Sequence, residues 1–394
     1  MAPPGDTVTR ALFINSGILG QRTFAQFVRT AFAEERDGVR VTQVLVTEDL
    51  TPQERLMRRV LCAPLWPRTA SRYRNLDYHR FRAELNAGLL ARTRIRRLEQ
   101  AGARFDVLHF HRQATAYASL DRIRRVPTIV SVDTTQGWMK EHARTAIEAR
   151  TYAPNVRRDG EIFAAARLIV STSRWAAEHI RSEYPACSTD VVVMPNPAPL
   201  PPESDAWTAE RHRRAAEPGY RPRVLFVGGD FPRKGGYGLL RSWRDARLDD
   251  RATLDIVTGW PIERSLLTPS ITLHRGIAAH TAAWYALWRA ADIFVLPTTD
   301  EAWGIVFQEA AAAGLPAIGT RITAIPEIIA HGMTGLLVPP RDHVPLVREL
   351  DTLLVSADTR RQMGERAREF IARSAEPEAY RRVLAGHIRR LAGR

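Results

Sequence analysis

The sequence predicts an α/β protein built from two parallel-sheet domains that face each other across a cleft. Three observations carry that prediction. Short apolar runs without polar alternation, such as "DVLHFH", "TIVSV" and "DIFVLPT", read as strands buried on both faces. Helical sequence separates each run from the next, which calls for parallel strands with helices on both faces of the sheet. The rhythm runs twice, and between its passes "PNPAPLPPES" packs five prolines into ten residues and reads as a linker. At 394 residues the chain also exceeds one typical core.

In chain order, "ALFIN" is the opening strand, "SGILGQ" its loop and "RTFAQFVRTAFAEE" a helix. "VTQVLV" is the next strand, and strongly basic helical sequence follows it. "DVLHFH", "TIVSV", "LIVSTS" and "DVVVM" complete the first half. The second half runs through "RVLFVGG", "TLDIVTG", "ITLHRG", "DIFVLPT", "PAIGT" and "GLLVPP", again with helices between. The closing "PEAYRRVLAGHIRRLAGR" is an amphipathic helix after a break near Ser374–Pro377. The expected domains are therefore residues 1–198 and 199–372, with a terminal helical segment, 373–394, packing back on the first domain. The shared rhythm is not a sequence repeat, and no segment is of low complexity.

Composition is that of a soluble globular protein, with 45% hydrophobic and 25% charged residues and no apolar run long enough to span a membrane. The amino-terminal stretch lacks a signal-peptide core. Cys62 and Cys187 form neither a metal spacing nor a disulfide framework, so a cytoplasmic setting is expected. The net charge of +14 is carried almost wholly by arginine, Lys140 and Lys234 being the only lysines. Twelve arginines between Thr51 and Arg97 face only Glu54, Asp77 and Glu84, and Leu56, Met57, Val60, Leu61, Trp66, Phe81, Leu85 and Leu89 are interleaved with them. Such helices either lie on anionic lipid or an acidic ligand, or are solvated faces.

The stretch "DIFVLPTTDEAWGIVFQEAAAAGLPAIGT" is a strand, a loop, a helix stopped by Gly314, and a second strand. Its loop belongs at the carboxyl edge of a parallel sheet, where open α/β folds bind ligands. Backbone N–H groups from Gly304 to Val306 begin the helix without intrahelical partners and favour an anion. Glu309, one turn further in, suits a vicinal diol such as a ribose; an ordinary surface glutamate is the competing reading. "FVGGDFPRKGG" combines four glycines with the adjacent cations Arg233 and Lys234, which suits a diphosphate, although it is not a Walker A loop. In the first half "NSGILGQ" allows Gly17 or Gly20 to approach a ligand. His109 and His111 share one strand face and lack a third metal ligand at sensible spacing, so one polar site histidine and one structural histidine are expected. Asp133 ends the following strand, as a site residue or a turn cap. Ser173 reads as a helix N-cap. No Gly-x-Ser-x-Gly elbow supports a hydrolase, and no Gly-x-Gly-x-x-Gly follows the first strand.

Taken together, Glu301-x7-Glu309, "AAAAGLPAIGT", "IPEIIAHGMTGLLVPPRD", "FVGGDFPRKGG", "AARLIVSTSRWAAEHI" and "VVVMPNPAP" resemble the retaining glycosyltransferases of family 4. The resemblance is strong over residues 160 to 345 and looser before them. It implies the GT-B architecture of two Rossmann-like domains and a nucleoside-diphosphate sugar as donor. By resemblance Glu309 binds the ribose, and Lys234 with Arg233 holds the diphosphate. Glu301 and the backbone of Trp303, Gly304 and Ile305 face the donor sugar and phosphates, and His111 lies beside the transferred sugar. From their places at strand ends, Gly17 is the candidate to approach the donor and Asp133 to meet the acceptor. The excess of basic residues between Thr51 and Arg97 suits an anionic or lipid-linked acceptor, and with Arg233, Lys234 and helix N–H groups present and no Asp-x-Asp pair, no metal or cofactor is expected. Two departures stand out: Gly228-Gly229 replaces the family's frequent Gly-Arg, and Gln21 stands where some relatives carry His. An epimerase or phosphorylase of the same fold is the enzymatic alternative. A basic membrane- or nucleic-acid-binding protein is the non-enzymatic one, and a nucleic-acid partner is not expected because the charge accompanies a full set of cleft motifs. Peripheral association with the inner membrane face is the expectation that the basic segment adds.

Overall fold

The computed structural model describes residues 8–17, 21–65, 75–185, 187–198, 201 and 204–393. Two compact units divide the chain: Met1–Pro197 together with Pro377–Arg394, and Ala198–Glu376. Each holds a six-stranded sheet whose strands pair in parallel throughout. All twelve strands fall on the apolar runs read from the sequence.

The first sheet contains β1 (Thr9–Asn15), β2 (Val39–Leu45), β3 (Val107–His111), β4 (Thr128–Val132), β5 (Leu168–Ser171) and β6 (Asp190–Val193), in the order β2-β1-β3-β4-β5-β6. Alternate side chains enter two separate apolar layers, as the period of a strand requires. On one face Leu12, Ile14, Leu108 and Phe110 meet Leu90, Ala91 and Ile95 of the helix α3 (His79–Gln100). On the other face Ala11, Phe13 and Val107 meet Phe24, Phe27 and Val28 of the helix α1 (Gln21–Ala31).

That second layer is completed by the end of the chain. Tyr380, Leu384, Ala385 and Ile388 of the helix Pro377–Leu391 join it, and Leu384 and Ile388 are fully buried. Burial of two such side chains contributes about 3–6 kcal/mol before conformational entropy is charged against it. Arg381 fixes the helix further through Asp37 at 2.6 Å and Glu378 at 2.5 Å. Pro377 opens the helix at a position where a missing N–H costs nothing.

The second sheet contains β7 (Arg223–Val227), β8 (Thr253–Val257), β9 (Ile271–His274), β10 (Ile293–Leu296), β11 (Ala317–Thr320) and β12 (Gly335–Val338), in the order β12-β11-β10-β7-β8-β9. The unit's first strand, β7, thus lies between its second and fourth, and strand order reverses between β7 and β10. In a doubly wound sheet the loops after those two strands diverge and leave a crevice at the carboxyl edge. The first sheet has the same kind of reversal between β1 and β3. Among the described residues no helix is long and apolar enough to cross a membrane.

Candidate active site

In the second unit the loops after β7 and β10 are stitched together. The Arg233 carbonyl accepts from Thr299 N–H at 2.9 Å, Thr299 Oγ1 at 3.0 Å and Thr298 Oγ1 at 3.2 Å. The Arg233 guanidinium donates to the Asp300 carbonyl and pairs with Asp230 at 3.3 Å. Lys234 is in direct contact with the Glu301 carboxylate. Thr320 Oγ1 donates to the Thr298 carbonyl at 2.7 Å, and Thr323 Oγ1 to that of Glu301. The sequence therefore places Arg233, Lys234, Asp300 and Glu301 in one site, as expected of neighbouring strand ends. The threonines that join the loops carry no motif and were not legible.

Two glycines make this close approach possible. Gly235 has φ +78°, and a Cβ there would stand 2.0 Å from the Pro297 carbonyl oxygen. A Cβ at Gly228 would come within 3.0 Å of the Lys234 side chain, so the lysine stem lies against the first glycine of the pair that stands where the family often has Gly-Arg, while a Cβ at Gly229 would meet nothing. Burial, and then the Arg233 cation, push the Lys234 ammonium down to about 7. Asp300 and Asp230 oppose that shift, and the Glu301 carboxylate touches the ammonium. Lys234 is thus held by a counter-charge at the position from which the sequence reading has it meet a diphosphate.

The helix Ile305–Ala312 begins at Gly304, whose φ of +83° suits glycine. Its first intrahelical bond is Phe307 N–H to the Gly304 carbonyl at 2.9 Å, which leaves the Ile305 and Val306 amides at the helix tip. Trp303 is buried, and its indole donates to Gln308 at 2.8 Å, fixing the turn that enters the helix. Glu309 lies one turn in. Its Oε1 is 4.0 Å from His280 Nε2, and its buried Oε2 has no hydrogen-bond partner. Burial pushes this carboxyl up to about 8. A buried carboxylate oxygen without a donor costs free energy until something supplies one.

In the first unit, His109 in the middle of β3 and His111 at its end differ in environment. His109 Nε2 pairs with Ser131 Oγ at 2.7 Å, its ring stands edge-on to Phe13, and burial pushes its pKa down to about 3. It is the structural member of the pair. The His111 ring stacks on Phe24 with centroids 3.7 Å apart, and its Nδ1 has no partner. Burial, then His109 and Arg112, hold it well below the usual histidine range, so it is a neutral imidazole. Gly17, at φ +75°, follows β1 at the same edge; its carbonyl accepts from Arg22 Nε at 2.8 Å. Gly20 lies outside the described residues, as does Trp66. Asp133 follows β4 directly, but the helix Gln136–Glu141 is capped by Thr135, which accepts from Trp138 N–H at 3.1 Å. The turn-cap reading of Asp133 is therefore corrected to Thr135. Ser173 caps its helix as read, accepting from Ala176 N–H.

Sequence reasoning missed two polar features of this unit. Asn15 ends β1 beside His111 in register, is fully buried, and has neither amide atom hydrogen-bonded. Behind β3, Asp159 accepts from Tyr117 at 2.9 Å and from Gln136 N–H at 3.1 Å, while Gln136 and Asn155 donate to Glu84 at 2.9 and 2.6 Å. Burial, then the Glu84 charge, push Asp159 up to about 8. Among the described residues one histidine–carboxylate group brings its ligand atoms within 4.8 Å of one another, Glu141, His179 and Glu183. Thr135 and His179 already hydrogen-bond its Glu183 carboxylate, and it includes neither histidine of β3.

Two family models match the chain, Glycosyltransferase Family 4 over residues 27–200 and Glycosyl transferases group 1 over residues 208–370. The chain is 30% identical over 292 residues to a D-inositol 3-phosphate glycosyltransferase of Pseudarthrobacter chlorophenolicus, a match covering 69% of this chain and 67% of the relative. It is 28% identical over 302 residues to the protein of the same name from Arthrobacter sp., covering 72% and 70%. Among solved structures, sucrose-phosphate synthase from Thermosynechococcus elongatus aligns with a TM-score of 0.72 at 17% identity, covering 98% and 99% of the two chains. The Anabaena protein HepE, solved in complex with UDP, aligns with a TM-score of 0.65 at 14% identity, covering 97% and 99%. At such identities the structural likeness speaks for the fold alone, and that fold is the two-sheet α/β class read from the sequence.

Proposed function

The chain belongs to glycosyltransferase family 4, and on that premise we propose that it is a retaining transferase moving a sugar from a nucleoside diphosphate to an acceptor hydroxyl. The observation that carries this reading is the half-buried Glu309 carboxylate, one turn inside a helix at the β7–β10 crevice, with its buried oxygen lacking a donor. A ribose diol supplies the two O–H donors that such a carboxylate needs. The UDP and UDP-glucose complexes of HepE support a donor of this class.

The rest of the loop pair suits the remainder of the donor. Lys234, Arg233 and the Ile305 and Val306 amides counter the diphosphate, and their stabilisation grows as charge develops on the leaving group. Glu301 keeps Lys234 oriented until the diphosphate competes for it, and the Trp303–Gly304 turn borders the sugar. In the first unit His111 is the candidate contact for the transferred sugar. Gly17 lets the loop after β1 come close to the donor, and Asp133 is the candidate partner of the acceptor hydroxyl. The anomeric C–O bond to the diphosphate breaks and the acceptor oxygen bonds the same face of the anomeric carbon. The acceptor proton passes to the departing phosphate oxygen. Charge compensation by Arg233, Lys234 and the helix tip leaves no requirement for a divalent ion, and no cofactor enters the step.

Incubation with UDP-, GDP- and ADP-sugars, inositol phosphate being the first acceptor to assay given the relatives' names, tests the reading. Nucleoside diphosphate release with an α-linked product from an α-linked donor is the expected result. An inverted product, or no release from any donor, overturns it.

A further inference from the structure

The basic stretch between Thr51 and Arg97 divides into two parts in the structure. In α3 every arginine but the exposed Arg96 is engaged by the fold. Arg82 pairs with Asp77 at 2.7 Å and donates to the Leu61 and Ala63 carbonyls. Arg92 pairs with Asp121, Arg94 and Arg97 converge on the buried Glu54, and Arg80 lies over the Tyr152 ring. The apolar residues of α3 face the core. Sequence spacing alone made α3 look like a basic surface helix, and its distant acidic partners correct that.

The helix α2 (Pro52–Leu61) is different. A capping box between Thr51 and Glu54 fixes its start, and Met57 packs on the core. Its outer face carries Leu56 and Val60, 61% and 62% exposed and four residues apart, and Leu65 follows at 68%. Arg55 and Arg59 are exposed beside them and Arg58 is exposed on the opposite flank of the helix; the Arg55 guanidinium donates to the Leu50 carbonyl, and among the described residues no ion pair engages any of the three. Helical spacing sets Leu56–Val60 and Arg55–Arg59 as adjacent stripes on one surface. Guanidinium groups without counter-ions flanking large apolar side chains match a surface that is anionic outside and apolar beneath.

We propose that α2 docks this protein on an anionic lipid bilayer, with Leu56, Val60 and Leu65 entering the acyl boundary and Arg55, Arg58 and Arg59 meeting headgroup phosphates. The fixed, flat two-stripe surface needs no complementary groove, which favours lipid over an acidic protein. This docking does not depend on which donor the enzyme uses. It brings a soluble fold to the surface where a lipid-linked acceptor resides.

The test is co-sedimentation of the full chain with vesicles of 30% phosphatidylglycerol in phosphatidylcholine, against pure phosphatidylcholine, at low and moderate salt. Each basic residue at an anionic surface strengthens partition about fivefold, so the triple variant R55Q/R58Q/R59Q is expected to bind roughly 100-fold more weakly. The variant L56S/V60S, which keeps the charge, is expected to lose on the order of tenfold. A control removing three exposed arginines elsewhere, R366Q/R373Q/R382Q, is expected to bind like the parent. Equal binding to both vesicle types, binding to neither, or equal loss in the control triple would overturn the proposal. Circular dichroism of each variant separates lost docking from lost folding.

Discussion

Replacing Glu309 by Gln removes the charge that the ribose is proposed to need while keeping the side chain's shape. Hydrogen bonds to a charged group contribute about 1.5–3 kcal/mol, so nucleoside diphosphate affinity should fall about 10- to 150-fold. The structure adds a pH dependence. Burial holds the free carboxyl at about 8, so at neutral pH binding must first expel a proton. Because the diol donates to the ionised form, ionisation of Glu309 should raise affinity by at most about tenfold per unit up to about 8. Lys234, held down at about 7, opposes this, since only its ammonium counters the diphosphate, so the parent's pH profile should be the flatter one. The Gln variant should bind weakly and, keeping only the Lys234 titration, lose affinity as pH rises through about 7. The same linkage acts on folding. A carboxyl whose pKa rises from 4.5 to about 8 on folding stabilises the native state at low pH, and that contribution is lost as pH rises through 8. Glu309→Gln should therefore gain on the parent protein in thermal stability at pH 9 relative to pH 5. Calorimetric titration with UDP and GDP from pH 6 to 9 gives both readings. Unchanged affinity in the folded variant, or the same pH profile in variant and parent, would refute the reasoning.

Lys234→Gln should lower kcat/KM by about 30- to 1,000-fold, the loss of about 2–4 kcal/mol expected for one contact to developing charge; steady-state kinetics near parent values would remove Lys234 from the mechanism. Activity should persist in excess chelator, and its loss with recovery on adding Mg²⁺ or Mn²⁺ would show that a metal is required. Gly235→Ala combines a left-handed backbone with a Cβ 2.0 Å from the Pro297 carbonyl oxygen, so urea unfolding should show a loss of about 2–4 kcal/mol. Leu384→Ala opens a cavity in the core of the first unit and should cost about 2–5 kcal/mol in the same assay.

Much of the fold was legible because parallel strands buried on both faces leave unbroken apolar runs, and "DIFVLPT" or "TIVSV" has few other readings. Strand order was not, since nothing local in β7 and β10 says that they are neighbours. The meeting of Lys234 with Glu301 followed from placing both loops at a carboxyl edge. Their direct pairing did not, because the two are 67 positions apart. Charge was the least legible property. The arginines of this stretch look alike in a sequence, and among the described ones only the packing of α3 against Glu54, Asp77 and Asp121 separates those that hold the fold from the exposed Arg96 and the three on α2. The Asp159–Tyr117–Glu84 network was invisible for the same reason. Its members lie on different elements, and each looks like an ordinary surface residue in its own neighbourhood.

A crystal structure with UDP or GDP bound bears most directly on the claim that the second unit's sheet edge holds the donor. The ribose hydroxyls should lie within about 3 Å of the Glu309 carboxylate, with the diphosphate on Lys234, Arg233 and the Ile305 and Val306 amides. A nucleotide whose ribose turns away from Glu309, or one bound outside the β7–β10 crevice, would contradict it.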